Sequence, residues 1–201
     1  MGWSSAVVTS LACLSAPAQT QNGVTNSTKN PQQIATLHWY AANLTTAFSV
    51  GTTPFGVAFD GANVWVVNGG DNDVEKLRAN DGAVLGAFSV GQSRASPRGL
   101  AFDGENVWVS NSGGNDVTEL KGPSDGSLLG TFVAGATPAD VVYDGANVWV
   151  VKFASSNVTK LSAKNGANLG TFSVGSGPED AAFDGANVWV VNTNGGSVSK
   201  L

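Results

Sequence analysis

The chain has 201 residues, of which 42% are hydrophobic, only 12% are charged and 26 are glycine, a composition too apolar for a disordered chain and too rich in Gly for a helical one. A formal net charge of -5 argues against a surface that neutralises nucleic-acid phosphates or anionic lipid headgroups, which removes nucleic acid from the expected partners.

Residues 6–18, AVVTSLACLSAPA, form a short apolar run that ends in the small-x-small pattern Ala16-Pro17-Ala18. Residues 1–18 therefore read as a signal peptide and the protein as exported, secreted or periplasmic. No later run approaches the roughly 18 apolar residues that span a bilayer, so no transmembrane segment is expected. Cys13, the single cysteine, lies inside the signal, which leaves a mature chain with neither disulfide nor Cys-ligated metal. Residues 19–42 form a leader, in which PQQIATLHWYAAN at 31–43 places Ile34, Leu37, Trp39 and Tyr40 at partly helical spacing.

From residue 43 onward the chain repeats. Trp65, Trp108, Trp149 and Trp189 stand 43, 41 and 40 residues apart inside AFDGANVWVVN, AFDGENVWVSN, VYDGANVWVVK and AFDGANVWVVN. Pro54, Pro97, Pro138 and Pro178 precede the four copies at a constant distance. Within each copy a short apolar run (GVAF, GLAF, DVVY, DAAF) ends at Asp-Gly, where Asp closes a turn and Gly takes positive φ. The VWVV-type run that follows is apolar at successive positions, which requires both faces of its sheet to be covered. VEKL, VTEL, VTKL and VSKL form a third segment. A second turn leads to a fourth, VLGAFSVG in the first copy. Four antiparallel strands in about 40 residues, covered on both faces, describe the blade of a β-propeller.

These residues resemble a known family. VWVVN at 64–68, NDVEKL at 72–77, DGAVLGAFSVG at 81–91 and Pro97 through Asp103 are similar to the YVTN or YncE-type repeat, a relative of the NHL and streptogramin-lyase propellers. The resemblance covers residues 43–201 and implies an all-β propeller of four four-stranded blades. The fourth copy stops at Leu201 after its third strand, while LTTAFSVG at 44–51 has fourth-strand text with no blade before it. Two arrangements are expected from this complement. In one, residues 44–50 pair with 197–201 and close a monomeric four-bladed ring; in the other, the chain is an arc of a larger propeller and self-pairs as a dimer.

Residues that recur in every copy support the blade. The four Trp wedge between blades, and Asp60, Asp103, Asp144 and Asp184 form turns. Function is expected where the copies differ, at the loops entering the first strand and leaving the second, around the channel mouth. That rim carries Phe55, Arg98, Asp140, Glu179 and Asp180 at the first position, and Asn68, Asn111, Lys152, Phe153 and Asn192 at the second. Asp140 and Asp180 occupy equivalent places on adjacent blades and could hold a divalent cation such as calcium through oxygen ligands. Streptogramin lyases use a propeller histidine, and the only histidine here, His38, precedes the blades, so that activity is not carried over. The expected function is a non-catalytic binding or scaffold module for a protein, peptide or carbohydrate ligand, with no resident cofactor. The alternative is a degenerate metal-assisted lyase or hydrolase of the streptogramin-lyase or gluconolactonase kind.

Overall fold

The structure, a computed structural model, describes residues 47–91 and 95–201. The signal peptide, Cys13, His38, the leader and the first residues of the repeat domain lie outside the described residues.

Four antiparallel sheets account for the described chain. Blade 1 contains β1 (Pro54–Phe59), β2 (Asn63–Asn68), β3 (Asp73–Arg78) and β4 (Val84–Ser89). Blade 2 contains β5 (Pro97–Phe102), β6 (Asn106–Asn111), β7 (Asp116–Lys121) and β8 (Leu128–Val133). Blade 3 contains β9 (Pro138–Tyr143), β10 (Asn147–Lys152), β11 (Asn157–Ser162) and β12 (Asn168–Ser173), with a single 3₁₀ turn at Phe153–Ser155. Blade 4 has three strands, β13 (Pro178–Phe183), β14 (Val188–Asn192) and β15 (Ser197–Lys200). Each sheet follows chain order, every strand pairing with its sequence neighbour.

The Asp-Gly turn does more than reverse the chain. Asp60 Oδ1 accepts hydrogen bonds from the Ala62 and Asn63 amides at 2.9 and 2.7 Å, while Gly61 adopts a φ of 98° that a side chain would resist. The other carboxylate oxygen accepts from the Trp65 indole at 2.8 Å. The same indole bond recurs from Trp108 to Asp103, Trp149 to Asp144 and Trp189 to Asp184, each at 2.7 Å. One carboxylate thus sets the turn and satisfies the polar edge of the aromatic residue that wedges the blades apart. Burial pushes Asp60 and Asp144 up, but their indole, amide and turn N–H donors outweigh it and hold both below the usual carboxylate range.

Three apolar clusters fill the junctions between successive blades. Trp65, Val67 and Val74 of blade 1 pack on Leu100, Val107, Val109 and Leu120 of blade 2. Trp108 and Val117 pack on Val141, Val148, Val150 and Leu161, and Trp149, Val151 and Val158 pack on Val188 and Val190. A phenylalanine of each outer strand covers the tryptophan of its own blade, with ring centroids 5.6 Å apart for Phe88–Trp65, 5.4 Å for Phe132–Trp108 and 5.3 Å for Phe172–Trp149.

The expected latch is not formed by the described residues. Residues 47–50 belong to no strand, and β15 pairs with β14 alone. The physical reason is that the end blades stand apart: β15 does not reach residues 47–50, whose Phe48 seats on Gly82 in the third-to-fourth-strand turn of blade 1, where a Cβ would collide with the ring. The innermost strands pack in series, β1 on β5, β5 on β9 and β9 on β13, and no comparable contact joins β13 back to β1. The described blades form an open arc. None of its elements is a helix long and apolar enough to cross a membrane.

Candidate functional site

The positions where the copies diverge lie at the starts of β1, β5, β9 and β13. Because these strands pack side by side, they bring Phe55, Arg98, Asp140, Glu179 and Asp180 around one cavity of about 320 Å³. Glycine permits the close approach: a Cβ on Gly99 would meet the Asp140 backbone, and one on Gly56 would meet the Arg98 carbonyl. The inner strand is also bent where two residues oppose one, and in blade 2 Ser110 fills that irregularity, its hydroxyl accepting from the Gly99 amide at 2.9 Å.

Charge in this cavity is mostly negative. Arg98 of blade 2 reaches Glu179 of blade 4 at 3.4 Å, and the intervening blade places only Ala139 at that position. Glu179 also accepts from the Thr193 hydroxyl at 2.9 Å, and the Arg98 guanidinium lies 5.3 Å from the centre of the Phe55 ring. Asp140 and Asp180 converge, both accepting from the Ala181 amide, at 3.1 and 2.8 Å. Burial, and after it the hydrogen bond and charge of Asp180, pushes the Asp140 carboxyl up to about 7. Near neutrality Asp140 is therefore partly protonated. Among the described residues no group of three His, Cys, Asp or Glu side chains converges as a metal site.

Four of the residues expected at the mouth turn inward instead. Asn68, Asn111, Lys152 and Asn192 are buried at the ends of β2, β6, β10 and β14. Asn68 donates to Asp73 at 2.9 Å, Asn111 to Asp116 at 2.6 Å and to Thr118 at 2.8 Å, and Asn192 to Ser199 at 2.9 Å. These amides tie the second strand to the third, a demand of the blade that explains their recurrence. Lys152 packs its aliphatic stem at Gly135, and burial pushes its ammonium pKa down. Phe153 is half-buried in the 3₁₀ turn beside β9 and β13 and does not line the cavity.

A larger cavity of about 570 Å³ lies between blades 2 and 3, at the other end of the first strands, lined by Asp103, Glu105, Asn106, Glu119, Tyr143 and Lys164 among others. Two of its three acids are already occupied: Asp103 holds Trp108, and Glu119 accepts from Asn106 at 2.8 Å. It is a groove between turns more than a ligand site. Glu119 went unremarked in the sequence although a signal was present. It stands where the other copies have Lys76, Lys160 and Lys200, each lying over its own tryptophan ring at 4.9, 4.6 and 5.2 Å.

No protein-family model matches the chain, and no curated protein matches it. Solved structures do. A Bacteroides uniformis protein assigned provisionally to the 6-phosphogluconolactonases aligns with a TM-score of 0.66 at 15% identity, over 78% of this chain and 55% of its own. Virginiamycin B lyase from Staphylococcus aureus aligns with a TM-score of 0.63 at 15% identity, over 78% of this chain and 58% of its own. The computationally designed protein Ika4 aligns with a TM-score of 0.64 at 14% identity, over 78% of this chain and 94% of its own. The chain thus spans little more than half the length of these two natural neighbours. At such identities the likeness establishes the fold alone, an all-β architecture of propeller blades.

Proposed function

We propose that the protein is an exported binding module of the YVTN-like propeller type, without catalytic activity, that holds a protein, peptide or carbohydrate ligand in the cavity at the starts of β1, β5, β9 and β13. One observation carries this reading: the residues that escape the repeat, Phe55, Arg98, Asp140, Glu179 and Asp180, come together around a single cavity. The residues that recur are consumed in building blades. Pockets that fix a ligand combine an apolar face with a few convergent polar groups, here Phe55 with three carboxylates. Arg98 is already paired with Glu179, so the remaining charge favours a ligand that carries a cationic group, such as a basic peptide side chain.

The raised Asp140 favours a second reading, since a carboxyl poised near neutrality beside a second carboxyl suits acid–base work with a divalent cation. Thermal melts with lysine- and arginine-containing peptides, neutral oligosaccharides, calcium and magnesium separate the two. The binding reading expects basic peptides to raise the melting temperature, and the effect to vanish in a Glu179→Gln/Asp180→Asn double variant. A melt indifferent to the whole panel would overturn it, and stabilisation by the divalent ions alone would favour the metal-assisted reading.

A further inference from the structure

Every junction between blades repeats one set of contacts. The face that a blade turns to its successor carries Trp65, Val67 and Val74 in blade 1 and Trp149, Val151 and Val158 in blade 3, all at most 8% exposed. The face turned to the predecessor carries two residues of the first strand and two valines of the second, as in Leu100, Phe102, Val107 and Val109 of blade 2. Among the described residues, two faces of this same design are left over. Blade 4 presents Trp189, Val191 and Val198 at 39, 46 and 58% exposure, and blade 1 presents Val57 and Phe59 at 67 and 58%.

We propose that these two faces join between two copies of the chain, head to tail and twice over, so that two four-bladed arcs close one eight-bladed ring. The occupant follows from continuity with the interface already formed three times inside the chain: the bare face of blade 1 is what blades 2, 3 and 4 offer their predecessors, and the bare face of blade 4 is what blades 1, 2 and 3 offer their successors. Each copy carries one face of each kind, so two heterologous junctions satisfy both copies. Apolar surface of this extent is otherwise a liability for a monomer in water.

Residues 47–51 are already seated for this partner. Phe88 of blade 1 lies on Gly126 of blade 2, Phe132 of blade 2 lies on Gly166 of blade 3, and Phe48 lies on Gly82 of blade 1 in the same way. Gly51 abuts Asn68 as Gly175 abuts Asn192, and AFSVG at 47–51 is identical to AFSVG at 87–91. The segment holds, on blade 1, the place of the last strand of a preceding blade. In the ring, the free edge of β15 from the second copy adds alongside it, Phe48 covers the second copy's Trp189, and both exposed edges disappear. Lys76 shows how the junction is finished, reaching across to the Pro123 and Ser124 carbonyls at 2.7 and 3.0 Å. Lys200 lies over Trp189 as Lys76 lies over Trp65, and a docked blade 1 brings it the equivalent turn carbonyls of Ala79 and Asn80.

The test is the mass of the 201-residue chain by light scattering, with charges placed on either bare face. The wild type is expected at twice 20.4 kDa, and Val57→Lys or Val191→Asp alone at 20.4 kDa with an unchanged far-ultraviolet spectrum. Mixing the two variants in equal amounts restores the double mass, because one junction then sets the introduced lysine against the introduced aspartate and the other is wild type on both sides. A face-to-face dimer gains no fully wild-type junction on mixing, so a mixture that stays monomeric overturns the head-to-tail arrangement. A monomeric wild type, or one that forms an open polymer, overturns the ring.

Discussion

Two single residues stand out against the other copies of the repeat. At the third-strand position opposite tryptophan, blades 1, 3 and 4 have lysine and blade 2 has Glu119. A carboxylate at the position opposite an indole forfeits the attraction that lysine gains there. Burial pushes Glu119 up, the Asn106 amide opposes it, and the nearby charges of Asp103 and Glu105 add to the rise. Replacing Glu119 by Lys is expected to stabilise the fold by about 1 kcal/mol, and to raise the melting temperature by about 2–4 °C for a domain of this size. A lower melting temperature for the variant would count against this account. Asp140 is set apart in another way: with Asp180 it puts an acid where blades 1 and 2 have Gly56 and Gly99, and it is the one that burial pushes up. Its folded pKa of about 7 exceeds the ordinary 3.8, so the folded state binds the extra proton between those values and this contribution to stability is lost as pH rises from about 4 to 7. Asp140→Asn keeps an acceptor for the Ala181 amide without the titration. The variant is expected to melt about 2–4 °C above the wild type at pH 8, a gain of about 1 kcal/mol, and to lose that advantage at pH 4, as calorimetry at the two pH values would record.

At the scale of the element, the strands were legible because their signals are local. Asp-Gly pairs, β-branched runs and the constant Pro mark boundaries that the observed strands follow, from Pro54–Phe59 to Val188–Asn192. The link between each Asp and the indole five residues on was not legible as such, because turn and wedge are each sufficient reasons for their residue type. The inward turn of Asn68, Asn111 and Asn192 was hidden for a similar reason: a polar residue at a strand end reads as a rim residue until the strand beside it offers a partner. The convergence of Phe55, Arg98, Asp140, Glu179 and Asp180 could be read, since it requires only that equivalent strand starts sit side by side. The blade-to-blade connection also carries strain. The residue before each constant proline takes a left-handed backbone, at φ 53° for Thr53, 46° for Ser96, 53° for Thr137 and 60° for Gly177. Only the fourth copy uses the residue suited to it. A β-branched residue there costs on the order of 1–2 kcal/mol, whereas glycine costs about 0.5–1 kcal/mol in chain entropy. Thr137→Gly retains the backbone bonds to Asn115 and Phe153 and is expected to gain about 0.5–1 kcal/mol in denaturant unfolding, the difference between those two. An equal loss would show that the threonine side chain is needed where it stands.

For the whole molecule, the arc makes stability uneven along the chain. Blades 2 and 3 are covered on both faces, whereas blades 1 and 4 are each bare on one, and in a stack where a repeat touches only its neighbours the end units open first. Closing two arcs into a ring removes the distinction, because every blade then has two neighbours. Hydrogen exchange resolves the two states if the wild type is compared with Val57→Lys, which blocks the bare face of blade 1. The amides of β14 and β15, at the far end of the chain from the substitution, are expected to exchange markedly faster in the variant than in the wild type, while β6 and β10 remain the slowest in both. No path within one arc carries that effect, since β13 makes no comparable contact with β1 and the intervening blades stay closed. The coupling has to pass through the second copy, whose blade 1 covers Trp189, Val191 and Val198. A change in exchange confined to β1 and β2 would show that the end faces do not meet, and that blade 4 keeps its bare face in solution.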